Sequence, residues 1–267
     1  MHPRNSRILW LATTVTILVS TLALAQDSGR EFRWSGKLAA DRVVEIKNIN
    51  GTIEAERTSG DEVEVRAEKT GTRAEEIKIE VVPHGDGVTI CAIYPRGMFG
   101  GSSGPCEPGD GWHPSNVHGD DAKVNFKVWL PENLRFAAQS VNGDVRAEGL
   151  GRFVRASTVN GSVRVSTKSW AELSSVNGSI DARMGRADWT GTLKISTVNG
   201  SVHLDMPSDM SAEVRFRSVN GRLNSDFPLT VSGTFGGRKL DGRIGNGGRE
   251  LVVETVNGSV ELRREGI

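Results

Sequence analysis

The stretch Ser157-Thr158-Val159-Asn160-Gly161-Ser162-Val163 contains a motif that the chain repeats many times. An apolar residue, Asn or Asp, Gly, one polar residue and a second apolar residue follow one another at eight places. From Asn142 onward these motifs lie 16 to 22 residues apart, a period typical of repeat proteins in which each unit buries its apolar face against the next. The repeated pairs are Asn50 and Gly51, Asn142 and Gly143, Asn160 and Gly161, Asn177 and Gly178, Asn199 and Gly200, Asn220 and Gly221, Asp241 and Gly242, and Asn257 and Gly258.

The residues around each motif predict two short strands joined at a corner. Aligned on Asn, apolar residues stand six, four and one positions before it and three and five after it, and Ser or Thr stands two before it. We expect the Gly to supply the positive φ that such a corner requires. Beyond the N-terminal residues no segment has a helical period of useful length. The sequence therefore predicts an all-β chain folded as a β-solenoid (β-helix-like), built of repeated short strands with Asn-Gly corners.

A different all-β architecture is compatible with the same motif. Asn-Gly between alternating strands is the strongest short-range signal for a β-hairpin, so an antiparallel meander or barrel is the alternative. A meander does not need the same corner sequence at every second turn. In a solenoid identical corners stack, and their Asn side chains can form a hydrogen-bonded ladder. The regular return of the motif favours the solenoid.

The N-terminal residues have the pattern of a secretory signal peptide. Two arginines lie among the first seven residues, Ile8 to Leu22 is largely apolar, and Ala23-Leu24-Ala25 is a small-residue cleavage site. The alternative is a retained anchor, because about 17 apolar residues can just span a bilayer. Thr residues within the run and the cleavage pattern favour removal. We expect a signal peptide over 1–25 and one β-solenoid domain over 26–267, with no membrane span after cleavage.

The charges of the chain are balanced. Lys and Arg number 33, Asp and Glu also number 33, and removal of residues 1–25 would leave a net charge of about −2. Such a chain has no large basic surface, so nucleic acid is not an expected partner.

The two cysteines, Cys91 and Cys106, are expected to form a disulfide, because exported proteins meet an oxidising environment. The bond would close an irregular loop at about 94–121, which is rich in Gly, Pro and Ser. A metal site in this loop is the alternative, although the loop offers no helix or strand to hold ligands at tetrahedral spacing. We expect no metal and no cofactor. The candidate ligands of the alternative are Asp110, His113, His118, Asp120 and Asp121.

The same loop carries three aromatic residues, Tyr94, Phe99 and Trp112. They could form a contact surface for a partner, because long loops in compact repeat proteins are often functional. The alternative is that these rings fold back and cover the edge of the sheet.

The sequence contains no recognisable catalytic motif. It has no G-x-S-x-G elbow and no Cys-His arrangement outside the loop. Paired carboxylates such as Glu62 with Glu64, or Asp120 with Asp121, are frequent on the exposed face of any strand. We expect no enzyme. The alternative is a carbohydrate-active enzyme on a parallel β-helix, which rests on analogy of fold alone.

Three stretches resemble a known bacterial family: the repeat Ser/Thr-Val-Asn-Gly-Ser-Val, the closing stretch from Gly242 to Val260, and Thr89 to Pro95. The chain is similar over about residues 31–265 to the exported putative-adhesin proteins of unknown function, which are built as β-solenoids. The resemblance implies a bacterial source and a location in the periplasm or on the cell surface. No catalytic residues are established for that family. We therefore expect an exported, non-catalytic adhesin-like or structural module of the cell envelope, whose ligand is an unidentified envelope component, glycan or protein.

Overall fold

The computed structural model describes residues 24–95, 104–112, 121–231 and 239–265. Within these residues the chain forms 22 strands and one short 3-10 helix, Ala74–Glu76. No helix in this part of the chain is long and apolar enough to cross a membrane. The strands are β1 (Leu24–Asp27), β2 (Glu31–Gly36), β3 (Val43–Lys47), β4 (Ile53–Thr58), β5 (Val63–Thr70), β6 (Lys78–His84), β7 (Gly87–Ile93), β8 (Lys123–Pro131), β9 (Arg135–Gln139), β10 (Val145–Leu150), β11 (Val154–Asn160), β12 (Val163–Thr167), β13 (Ala171–Asn177), β14 (Ile180–Met184), β15 (Thr192–Ser196), β16 (Val202–Met206), β17 (Ala212–Asn220), β18 (Leu223–Ser225), β19 (Thr230–Val231), β20 (Lys239–Ile244), β21 (Arg249–Asn257) and β22 (Val260–Arg264).

These strands form two sheets of eleven strands each. Sheet A has the order β1-β2-β5-β8-β4-β10-β12-β14-β16-β22-β18, and sheet B has the order β19-β20-β17-β21-β15-β13-β11-β9-β3-β7-β6. Successive repeats place one strand in each sheet and pair in parallel with the next repeat, as β11 does with β13 and β12 with β14. A meander would pair consecutive strands antiparallel. The prediction of a β-solenoid is therefore confirmed, and the hairpin meander is wrong.

The ends of the stack depart from the regular pattern. At one end β1, β2, β5 and β8 pair antiparallel, and Phe32 and Trp34 of β2 are buried in the core. At the other end β20 pairs antiparallel with β17 and with β19. The last coil of the sequence is not the last coil in space, because β21 lies between β15 and β17.

The predicted corner at Asp241 and Gly242 is wrong. Both residues lie within β20, opposite Arg215 and Val214 of β17. Six of the seven true corners have Ser or Thr two positions before the Asn and the seventh has Asn48, whereas at this place the sequence has Lys239. The side chain of Asp241 instead pairs with Arg217, whose Nη1 lies 2.9 Å from its Oδ1.

Five of the other seven corners turn a hydroxyl residue inward and an exposed valine outward, whereas at the Asn50 corner both Asn48 and Ile49 are buried. Thr158 is 4% exposed and donates from Oγ1 to the carbonyl oxygen of Gly143 at 2.9 Å, whereas Val159 is 40% exposed. The same bond joins Ser175 to Gly161 at 2.9 Å and Thr197 to Gly178 at 2.8 Å. The β-strand alternation has therefore placed the hydroxyl on the core side, where at four corners the carbonyl of the neighbouring coil accepts its hydrogen bond.

The corner asparagines form a continuous ladder. In six of the seven, Nδ2 donates to the Oδ1 of the neighbouring corner asparagine at 2.7 to 2.8 Å, and Nδ2 of Asn50 donates to the carbonyl oxygen of Ala122. The predicted ladder is thus confirmed. Its members, in spatial order, are Asn50, Asn142, Asn160, Asn177, Asn199, Asn257 and Asn220.

At most of the corners glycine is needed for a reason other than the expected positive φ. Positive φ occurs at Gly51, with φ 107°, and at Gly258, with φ 158°, so the prediction of positive φ is wrong for the other five corners. At these five corners glycine is needed because a side chain would have no space. A Cβ on Gly178 would overlap the backbone carbonyl of Gly161 in the neighbouring coil, and a Cβ on Gly161 would overlap that of Gly143. Glycine allows identical corners to stack at strand spacing.

Replacement of Asn177 with Ala is expected to lower the free energy of unfolding by about 1–2 kcal/mol. The substitution removes two ladder bonds, to Asn160 and from Asn199, and a hydrogen bond typically contributes about 1 kcal/mol net. Urea denaturation measures the change. Val176→Ala, next to it and 39% exposed, serves as control and is expected to shift stability by no more than about 0.5 kcal/mol. Equal losses in the two variants would show that the ladder contributes nothing of its own.

Candidate functional site

Residues 104–112 form a strap across the outer face of sheet B. Cys106 in the strap is bonded to Cys91 in β7, so the predicted disulfide is present. Asp110 reaches further along the sheet, where its Oδ2 lies 3.0 Å from Nη1 of Arg155 in β11. The strap is therefore held at both ends to strands of the same sheet.

A buried ion pair lies beneath the strap. The side chains of Glu45 and Lys47 in β3 point away from the core, yet the two residues are only 4% and 0% exposed. Nζ of Lys47 lies 3.5 Å from Oε1 of Glu45 and donates to the carbonyl oxygens of Glu107 and Gly109, both at 2.6 Å. The other carboxylate oxygen of Glu45 accepts from Oγ1 of Thr89 at 2.7 Å and from the amide of Gly109 at 3.1 Å. The strap thus supplies most of the partners of the buried pair.

Two of the three aromatic residues, Tyr94 and Trp112, fold back against the protein, which is the alternative stated for the predicted contact surface. Tyr94 is 3% exposed and Trp112 is 8% exposed, and both pack against the core. The hydroxyl of Tyr94 lies 3.1 Å from the carbonyl oxygen of Asn50, and burial raises the pKa of this phenol far above its usual value. Phe99 lies outside the described residues.

A groove of about 510 Å³ lies beside the strap on the outer face of sheet B. Side chains two residues apart on a strand face the same side of the sheet, and they line up with the paired residues of the neighbouring strands. The groove is therefore lined by rows of side chains that run across the strands. Its lining comprises Asp110 and Trp112 of the strap, Ala156 and Leu173 at its base, and the outward residues Gln139, Arg155, Ser157, Glu172, Ser174, Lys194 and Ser196.

The outer face of sheet B carries three parallel rows of side chains beside the strap: a charged wall, a serine floor and a valine ridge. Together we call these rows the trough. The register pairs Arg155 with Glu172 and Ser157 with Ser174, and Ser174 pairs in turn with Ser196. Arg155, Glu172 and Lys194 form the charged wall, and Ser157, Ser174 and Ser196 form the serine floor. Beyond the floor stands the valine ridge, whose members are the exposed corner valines Val159, Val176, Val198, Val256 and Val219.

The charged wall is internally neutralised. Nη2 of Arg155 lies 2.8 Å from Oε2 of Glu172, and Nζ of Lys194 lies 2.7 Å from Oε2 of Glu254. Burial acts to lower the pKa of Arg155, but the hydrogen bond with Glu172 and the charges of Glu172 and Asp110 outweigh it, so the pKa is raised. The guanidinium stays charged and fixes both carboxylates beside the groove.

The outer face of sheet A differs in character. It holds a groove of about 490 Å³ lined largely by charged side chains, among them Arg164, Asp181, His203 and Arg263. Nδ1 of His203 lies 3.1 Å from Oδ1 of Asp181, and Arg263 lies 2.7 Å from Glu261. Exposed ion pairs of this kind are typical of a solvated strand face.

The remaining candidate site residues are dispersed. Asp121 accepts from the amide of Thr72 at 2.9 Å, whereas Asp110 pairs with Arg155. The two carboxylates therefore have separate partners and do not form the alternative metal site. No group of three or more potential metal ligands occurs within the part of the chain that the structure describes. The carboxylate of Glu64 pairs with Arg66 at 2.6 Å, and Glu62 lies 4.0 Å from Lys37. His113, His118 and Asp120 lie outside the described residues.

Comparison with known families decides the identity of the fold. The family model described as Toastrack DUF4097 matches residues 115–263, more than half of the chain. The chain belongs to this family. The match confirms the expected resemblance to a β-solenoid family of unknown function.

Solved structures similar to this toastrack chain come from bacteria. A putative cell adhesion protein from Clostridium sporogenes is 10% identical, with a TM-score of 0.47 over 87% of this chain and 99% of that one. A putative adhesin from Bacteroides fragilis is also 10% identical, with a TM-score of 0.38 over 88% of this chain and 98% of that one. Among curated proteins none matches the sequence.

Removal of the disulfide from the toastrack chain is expected to lower the free energy of unfolding by about 3 kcal/mol. The bond joins residues 15 apart, and in the chain-entropy model a loop of this length gives a stabilisation of that order. The double variant Cys91→Ser/Cys106→Ser, compared with the oxidised parent by urea denaturation, measures it. Reductant should destabilise the parent by a similar amount and leave the variant unchanged. A parent that is insensitive to reductant would contradict the prediction.

Proposed function

We propose that the protein is an exported, non-catalytic binding module of the bacterial envelope that holds its ligand in the trough on the outer face of sheet B. The observation that carries the proposal is the fixed strap at one end of the trough. The strap is held by the disulfide of Cys106, by Lys47 beneath it and by Arg155 beside it. Such fixation keeps the wall of a groove in one position before a ligand arrives, which reduces the entropic cost of binding.

The side chains of the trough support binding rather than catalysis. Asp110 and Glu172 both accept from Arg155, so each carboxylate is engaged with a cation at the groove. Hydrolysis of a glycosidic bond uses two carboxylates on opposite sides of the bond, one as acid and one as base or nucleophile. Among the residues that line this groove no histidine stands beside the serines to activate one as a nucleophile.

Two features support export. The disulfide is characteristic of proteins outside the cytoplasm. Cleavage after Ala25 would leave Asp27 in place, and both of its carboxylate oxygens bind Nζ of Lys69, a residue that is only 1% exposed. The expected mature N-terminus therefore retains the partner of a buried lysine. Peptide sequencing of the mature protein from a periplasmic extract should begin at Gln26, and a retained N-terminal segment would contradict this part of the proposal.

The test of the binding function is to fill the trough. Ser174→Trp places a large ring on the serine floor, whereas Asn224→Trp adds the same ring at an exposed position of β18 in sheet A. Both variants and the parent are immobilised and exposed to the separated polysaccharide and protein fractions of the bacterial envelope. The parent and the Asn224 variant should retain a component that the Ser174 variant loses. Retention of nothing, or equal retention by all three, would contradict the proposed function.

A further inference from the structure

The valine ridge is an unusual feature of a surface otherwise covered by ion pairs. Its five valines are 37% to 49% exposed, and the corner register places them on successive strands. At the spacing of neighbouring strands they form an apolar line of about 19 Å. A single exposed valine is ordinary, but a contiguous apolar line on a folded protein marks an interaction surface.

The trough continues along the whole ridge. A second groove, of about 400 Å³, lies at the end away from the strap and is lined by Val198, Val256 and Val219. Ser196 lines both grooves, so they adjoin at this residue. The row that begins at Gln139 crosses seven strands and ends at Lys239, a length of about 29 Å. A channel of this length suits an extended polymer rather than a small molecule.

The strap end of the trough is bounded by an indole ring. Trp112 lines the groove and is 8% exposed. Its Nε1 is enclosed, so a ligand in the groove would meet the exposed edge of the ring and not its N–H.

The charges beside the floor argue against an ionic ligand. Arg155 is bound by Asp110 and Glu172, and Lys194 is bound by Glu254. An anionic or cationic polymer would have to compete with these pairs, whereas an uncharged ligand leaves them intact. The serine floor and the valine ridge themselves carry no charge. Beyond Ser196 the row of the floor continues with Glu254 and Arg217 and ends at Lys239. Glu254 is paired with Lys194, and Arg217 is paired with Asp241.

The backbone argues against an extended peptide. A peptide laid on a sheet gains affinity mainly through main-chain hydrogen bonds to an open edge. The strands that form the trough, β11, β13 and β15, have neighbours on both sides, so their backbone groups are already paired. The trough offers a peptide only hydroxyls and methyl groups.

We propose that the ligand of the trough is an uncharged polysaccharide that lies along the solenoid axis, an inference that rests on the proposed binding function. Its hydroxyls bind the serine floor, and the C–H faces of its sugar rings pack on the valine ridge and on the exposed edge of Trp112. Because the serine returns on three successive strands and the valine on five, the site presents the same contacts repeatedly. A repeating surface of this kind matches a repeating ligand.

The experiment places a charge on the ridge. Val176→Lys, Val198→Lys and the pair are compared with Val231→Lys, a valine outside the ridge that is equally exposed at 41%. Binding of dextran, amylose and laminarin is measured by affinity electrophoresis, with alginate and heparin as charged polymers. The parent and the Val231 variant should bind at least one neutral polymer, and each ridge variant should bind it about tenfold more weakly, because an ammonium in the contact must lose water. Thermal unfolding of the single variants verifies that each is folded.

The outcomes separate this inference from the function on which it rests. Binding of alginate, heparin or an envelope protein, with no neutral polysaccharide bound, would overturn the inference and leave the binding function standing. Unchanged affinity of the folded ridge variants would also overturn it. If the parent bound no polysaccharide and no component of the envelope, the proposed function would fail together with the inference.

Discussion

Replacement of Lys47 with Met is expected to lower the free energy of unfolding by about 3–5 kcal/mol, the cost of leaving one member of a buried ion pair without its partner. Met has a similar length, so the change removes the charge and the donors while leaving the volume nearly filled. Glu45, at 4% exposure, would keep its bonds from Thr89 and Gly109 but would lose its one ion-pair partner among the described residues. The carbonyls of Glu107 and Gly109 would also lose their donor.

A matched substitution isolates the effect of burial. Lys194→Met removes a lysine from the outer face of the same sheet, where it pairs with Glu254 but is 58% exposed, so the expected loss is below about 1 kcal/mol. Adding Glu45→Gln to the Lys47 variant should restore part of the stability, because no buried charge then remains unpaired. Urea denaturation of the four proteins measures these differences. Similar losses for Lys47→Met and Lys194→Met would show that the strap does not isolate the pair from water.

Replacement of Gly178 with Ala is expected to lower the free energy of unfolding by about 4 kcal/mol, more than the usual cost of overpacking. The added Cβ would overlap the carbonyl group of Gly161 and approach the amide of Ser162. These are backbone atoms of a coil that is itself stacked on the next one, so neither side can yield as a flexible side chain would. The two coils must separate or their strands must shift.

The control for this substitution is a glycine with free space. No atom lies within 4 Å of a Cβ built on Gly85, and its φ lies outside the positive range. Gly85→Ala should therefore leave stability within about 0.5 kcal/mol of the parent. If Gly178→Ala were as stable as Gly85→Ala, close stacking would not be the reason for the repeated glycine.

The repeat allowed the architecture to be predicted, but not every position in it. The return of Asn-Gly at a nearly fixed interval indicates stacked corners, and the ladder from Asn50 to Asn220 bears this out. The alternation around Asn could not tell the inward side from the outward side, because Thr158 and Val159 are both compatible with a β-strand. In the structure Thr158 faces the core, where its hydroxyl donates to a carbonyl of the adjacent coil. Val159 and the equivalent valines therefore face outward and form the valine ridge.

The candidate site depends on contacts that are distant in sequence. Glu45 and Lys47 alternate with apolar residues and have the pattern of solvent-facing charges, and only the strap, about 60 residues later, buries them. The serine floor exists because the register of three strands aligns Ser157, Ser174 and Ser196. A sequence shows that serine recurs near each corner, but it does not show that the serines form one row beside a strap.

Hydroxyl-radical footprinting of the full chain tests the ligand surface most directly, because it measures solvent access to individual valine side chains. The protein is oxidised with and without a neutral polysaccharide that it binds, and oxygen incorporation is quantified at Val176, Val198 and Val231. Val231, exposed to the same degree but outside the ridge, corrects for radicals consumed by the sugar. The account predicts that oxidation of Val176 and Val198 falls relative to Val231. An equal change at all three valines, with protection instead on the outer face of sheet A, would contradict it.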